Sequence, residues 1–163
     1  MDPQTQAWFD QYDAHITTTI RRFGWFIQYV GGDSCSRPGC SCTGDDGPPF
    51  AYTVGLFGLN HPELLMFDVA PAAAAMVLNE LGERVRDGES LLPGVTIEGW
   101  KRKIVIEHVP NPGEIVLTAN DYYRRPPKVS VPVVQVTYCD DQGVFPWEDG
   151  CRSDQPRPGT FRA

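Results

Sequence analysis

Three thiols stand within one short run, Cys35-Ser-Arg-Pro-Gly-Cys40-Ser-Cys42. A Cys-x4-Cys-x-Cys loop relieved by Pro and Gly can wrap three thiolates around one soft metal ion, and a structural zinc ion closes its shell with a fourth protein ligand. Cys151 is the leading candidate for that fourth position, because it lies in an irregular tail that a shared ion would pin to the loop; Cys139, His61 and Asp45 stand behind it. The expectation is a structural zinc clip of Cys35, Cys40, Cys42 and Cys151. The spacing departs from the paired Cys-x2-Cys of zinc ribbons, so free or oxidisable thiols and disulfides stay open beside the metal.

The other residues able to do chemistry have plainer readings. His15 falls on a helical pattern as a surface or capping residue. His61 sits in a turn before Pro62-Glu63, in a solvated or hydrogen-bonding role. His108 alternates with Ile104 and Ile106 on a strand and is expected to share their face. Asp45-Asp46, Asp140-Asp141 and Glu148-Asp149 are carboxylate pairs in loops, where ionised, solvated side chains are the rule; Asp140 and Glu148 would flank a common rim if the fold joins them. Tyr52, Thr53, Tyr122, Tyr123 and Trp147 are core and edge residues first, pocket wall second. The chain carries no Gly-rich phosphate loop of the dinucleotide or P-loop kind and no Gly-x-Ser-x-Gly elbow.

A chain of 163 residues, 41% hydrophobic, has the length and apolar content for a single domain spanning 1–163, with a cysteine-bearing loop at 31–49 and an irregular segment at 142–163. A net charge of -7 argues against nucleic acid and against an anionic membrane surface as partners. The small basic groups Arg21-Arg22, Lys101-Arg102-Lys103 and Arg124-Arg125 read as solvated positions. No run approaches the ~18 apolar residues of a membrane span, and a cytoplasmic location is expected, where five cysteines stay as thiols or bind metal.

Pro3 and the period of Trp8, Phe9, Tyr12, Ile16, Ile20 and Phe23 predict a helix ending at Gly24. Strands follow over 25–30, 50–56 and 64–69, the last two as a hairpin. Pro71 opens a second helix with Ala74, Val77, Leu78, Leu81 and Val85 on one face and a stop at Gly88. Further strands are expected at 95–100, 103–109 and 131–138, with Pro132 marking an edge or bulge in the last; 114–123 is ambiguous between strand and helix. Tyr52, Val54 and Leu56 are expected on one face, against the second helix. Phe145-Pro146-Trp147 is expected to dock back on the domain, whereas 159–163 should be dispensable. The order gives α+β, a mainly antiparallel sheet packed against two principal helices.

The segments Phe50-Ala-Tyr-Thr-Val-Gly-Leu56, His61-Pro-Glu-Leu-Leu65, Leu78-Asn79, Gly143-Val-Phe-Pro-Trp147 and Gln155-Pro156 together resemble the bacterial family of domain of unknown function 4262. The resemblance implies a small α+β domain and brings no catalytic residue with it. Two function classes remain. One is an accessory or interaction domain, its partner a protein or small molecule, with the cysteine loop as a structural clip. The other is a small-molecule-binding or redox enzyme, related at fold level to flavin-binding split barrels, with flavin as its cofactor.

Overall fold

The computed structural model describes residues 1–31 and 47–163. Helix α1 spans Pro3–Phe23. Asp2 caps it, its carboxylate accepting from the amides of Gln4 and Thr5, both at 3.0 Å, while Pro3 contributes a preset φ. Gly24, at φ +102°, closes the helix with its amide on the Ile20 carbonyl and turns the chain into the sheet.

The sheet has strands β1 (Phe26–Val30), β2 (Phe50–Val54), β3 (Glu63–Phe67), β4 (Thr96–Ile97), β5 (Ile104–His108) and β6 (Val133–Tyr138), in the order β1-β2-β3-β6-β5-β4. Among the described residues β3 and β6 pair in parallel, and the other neighbours pair antiparallel. Helix α2 (Pro71–Arg86) leaves β3, and the short helix α3 (Leu117–Tyr122) precedes β6. The result is an α+β domain. Among the described residues β1 and β4 flank the sheet, which is open and does not close into a barrel, and this argues against the fold-level likeness to flavin split barrels. Pro132 lies just ahead of β6, an interior strand; the missing amide falls outside the ladder, and its carbonyl accepts from Glu63.

Alternation sends side chains to two cores. On one face α2 packs Ala74, Leu78 and Leu81 against Ala51, Leu64, Met66, Ile106 and Val136. On the other, Ile16 of α1 and Ala119 of α3 meet Phe50, Tyr52, Val54, Leu65 and Val133. Tyr52 and Val54 therefore face α1 and α3, not α2, while Leu56 joins the α2 core. The expected common face fails because β2 ends at Val54. Gly55, at φ +136°, breaks the alternation, and a Cβ there would stand 2.6 Å from the Gly24 carbonyl oxygen.

No helix or strand forms after Tyr138, yet the C-terminal segment is packed. Gln155 bonds both main-chain groups of Tyr138 through its side-chain amide, at 3.0 and 2.8 Å, standing in for a neighbouring strand where β3 no longer pairs with β6. Gln135 reaches the Pro156 carbonyl at 2.9 Å, and Arg157 forms a two-pronged pair with Glu107, each contact 3.0 Å. Phe145 is buried and stacks on Trp147 with ring centroids 4.5 Å apart, and the Arg157 guanidinium lies 5.0 Å over the Trp147 ring. No helix among the described residues is long and apolar enough to cross a membrane.

Candidate functional site

The residues of the Tyr-Thr-x-Gly-Leu and His-Pro-Glu-Leu segments meet at a buried carboxylate. Glu63 has no exposed surface, and its oxygens accept from the Thr53 hydroxyl at 2.6 Å and from the amides of Gly55 (2.8 Å), Phe57 (2.9 Å) and Leu56 (3.3 Å). Thr53 in turn accepts from the Leu64 amide at 2.9 Å. The carboxylate thereby satisfies the amides freed where β2 gives way to the 3-10 turn Leu56–Leu59. Burial pushes the Glu63 carboxyl up to about 7, against the pull of all four donors. Tyr123 of the α3 end lies above this turn, its hydroxyl accepting from the Gly58 amide at 3.2 Å, and burial raises its phenol.

His61 is buried and bonded at both ring nitrogens. The Leu91 amide donates to Nε2 at 2.9 Å, which leaves the hydrogen on Nδ1 to be donated to the Pro62 carbonyl at 2.7 Å. It thus ties the turn before β3 to the segment after α2. Asn79 has a similar task, accepting from the Trp25 indole at 2.9 Å. Tyr52 is core, its hydroxyl accepting from the Thr118 amide at 3.0 Å, and burial pushes the phenol up to about 12. His108 keeps the register of Ile104 and Ile106 on β5 but is exposed at the strand's end, not partly buried as expected, and His15 is exposed on α1.

The carboxyl ends of β3 and β6 gather a different set of groups. Tyr138 spans the two strands, donating to the carbonyls of Asp68 (2.5 Å) and Phe67 (3.2 Å). Asp68, at φ +55°, donates its amide to the Pro49 carbonyl at 2.8 Å, and its carboxylate accepts from the Ser153 hydroxyl (3.2 Å) and the Asp154 amide (2.9 Å). Asp140 organises the next turn: its oxygens accept from the amides of Gln142, Val144 and Arg152, all at 2.9 Å. The Arg152 and Val144 amides hold the Asp140 carboxyl below its ordinary value. Glu148 likewise accepts from the Phe145 amide at 2.8 Å, so both carboxylates expected on a common rim serve as turn caps.

Between these turns opens a cleft of about 260 Å³, lined by Asp68, Tyr138, Asp140, Asp141 and Ser153 and by two arginines, Arg102 and Arg152. Arg102 lies 5.6 Å over the Tyr138 ring. Neither guanidinium is within ion-pair distance of a carboxylate among the described residues. The sequence signals neither the cleft nor the Glu63 nest as a site. The cleft draws on residues from 68 to 153 that only the topology assembles, whereas the nest left one sign, a carboxylate heading the apolar run Leu64-Leu65-Met66.

Cys35, Cys40, Cys42 and Asp45 lie outside the described residues. Cys151 is half-buried, its thiol 3.4 Å from the Val144 carbonyl oxygen. Cys139 is buried, its sulfur accepting from the Lys103 amide at 3.3 Å. No cluster of three metal-ligating side chains occurs among the described residues.

Neither the curated proteins nor the solved structures contain a match to this chain. A family model does match, over residues 19–152, and it takes in the Glu63 nest, His61, Asn79 and the Phe145-Pro146-Trp147 turn. The chain belongs to the family described as Domain of unknown function (DUF4262).

Proposed function

We propose that the protein is a small accessory or interaction domain whose working end is the edge of the sheet where β1, β3 and β6 finish, and that Cys35, Cys40, Cys42 and Cys151 hold a structural zinc ion there. One residue carries this reading. Asp68 bonds Pro49, at the foot of the cysteine loop, through its amide, and Ser153 and Asp154, beside Cys151, through its carboxylate. Pro49, which follows the cysteine loop in sequence, and the residues next to Cys151 are thereby held at one corner, which suits a shared tetrahedral ion. The family-like residues Thr53, Glu63, His61 and Asn79 are engaged in holding the scaffold. That engagement favours a rigid frame for a binding surface over a reacting centre.

Elemental analysis of protein purified without chelator tests the clip. About one zinc ion per chain is expected, with Cys35→Ser and Cys151→Ser each lowering retention. Reduced, folded protein carrying under about a tenth of an equivalent rejects the clip. Zinc retention unchanged in Cys151→Ser rejects the fourth ligand alone.

A further inference from the structure

We propose that the cleft between the carboxyl ends of β3 and β6 binds a compact oxyanion, the carboxylate or phosphate group of a small molecule, between Arg102 and Arg152. The first support is placement. β3 and β6 are the parallel pair of this sheet, and they part beyond Leu65 and Gln135. The crevice outside the carboxyl ends of parallel strands is where open sheets with helical connections receive ligands.

The second support is the charge that remains after the local bonds are assigned. Asp140 is engaged by three backbone amides, and Asp68 by a hydroxyl and an amide, so both carboxylates hold the walls in place. Arg102 is steadied against the Tyr138 ring, and the Arg152 main chain is fixed by Asp140. Two guanidiniums that make no direct ion pair with a carboxylate among the described residues thus line one small cleft whose walls are tied down, with the Arg152 charge felt at Asp140 across it. Guanidinium forks match the spacing of carboxylate and phosphate oxygens. Asp141 also lines the cleft, and its charge disfavours a bare dianion beside it, favouring a ligand that offers a donor or an amine next to its oxyanion.

A net charge of -7 makes non-specific attraction of anions by this chain poor, so saturable anion binding would have a local cause. The full-length protein is titrated at low ionic strength with inorganic phosphate, succinate and glycine in separate arms, followed by amide chemical shifts. Saturable shifts confined to the turns around Asp68, Asp140 and Ser153 are expected in at least one arm below about 10 mM. Phosphate and carboxylate are distinguished by which arm saturates. Arg102→Gln and Arg152→Gln are each expected to weaken binding at least about tenfold with an unchanged melting temperature, because both side chains are exposed, whereas Lys128→Gln leaves affinity alone. Linear, non-saturating shifts in every arm overturn the proposal. So does affinity in both arginine variants unchanged from that of the unsubstituted protein, or tight binding of calcium at the same turns. Because the arginine variants leave the cysteines intact, zinc content read in the same samples separates failure of this site from failure of the clip.

Discussion

At Glu63 four donors converge in a place water does not reach, and the two conditions pull its proton in opposite directions. Burial wins: the carboxyl titrates near 7 in the folded chain, against 4.5 as its ordinary value. Between those two values the native state holds more protons than the unfolded one, so this group's stabilising contribution is full below 4.5 and is lost as pH rises through about 7. Asp140 acts with the opposite sign. Its carboxyl is held below 3.8, so its contribution is present above that value and lost on further acidification. Stability is therefore expected to peak on the acid side of neutrality and to fall by roughly 3 kcal/mol toward pH 8 on account of Glu63. Denaturant midpoints across that range check it, with Glu63→Gln as the control, since glutamine keeps an acceptor for Gly55 and Phe57 and does not titrate. An unchanged slope in Glu63→Gln would assign the pH dependence elsewhere. Glu63→Ala leaves the donors buried without an acceptor and is expected to cost ~3 kcal/mol or more at every pH.

Among the elements, α2 shows what the pattern of residues makes legible and what it hides. Its apolar face was readable, and Ala74, Val77, Leu78, Leu81 and Val85 are all buried against the sheet. The period of α1 and its stop at Gly24 were equally plain, because cap chemistry and 3.6-residue spacing are local. Where a long-range contact decides, the sequence was silent. The region 114–123 becomes a 3-10 turn and α3 with Asn120 holding Val131, its side-chain amide oxygen accepting the Val131 amide at 3.0 Å. Leu56 leaves its expected face because Gly55 must pass against Gly24 and Trp25. Trp25 makes a second close approach at Gly82, where a Cβ would stand 2.7 Å from the indole ring. Gly82→Ala has nowhere to put its methyl without moving α2 or the indole, and the move strains the Asn79 bond and the Arg86 guanidinium 4.7 Å over the same ring. A loss of about 1 to 3 kcal/mol is expected in spite of alanine's better helix propensity. A stabilised Gly82→Ala would show that the helix yields freely. Leu78→Ala, fully buried on the same face, is expected to cost about 2 to 5 kcal/mol.

For the whole molecule the decisive feature is how the second face of the sheet is covered. Helices α1 and α3 cover the part over β2 and β3, and the C-terminal segment attends to β5 and β6 through Arg157 on Glu107 and Pro156 on Gln135. A tail rich in Gly, Pro and charge gives no periodic signal of this, because its contacts are made one side chain at a time with strands far away in sequence. The last five residues, which read as dispensable, are part of that cover. Phe161 packs edge-on to Phe67 and Phe50 with ring centroids 4.9 and 5.2 Å apart, its carbonyl accepts from Asn111 at 2.8 Å, and the Ala163 amide reaches Glu114 at 3.0 Å. Ending the chain at Pro158 removes this aromatic contact and leaves Phe50 and Phe67 open to water. The truncated chain is expected to lose about 1 to 3 kcal/mol, and Phe161→Ala in the full chain to account for most of that loss. Ending it at Asp141 strips away Phe145, Gln155 and Arg157 as well and is expected to abolish cooperative unfolding. Urea melts of the three variants rank these effects. A chain ending at Pro158 with the midpoint of the full protein would mean that the aromatic triad contributes nothing, and that the sheet is closed on this face by α1 and α3 alone.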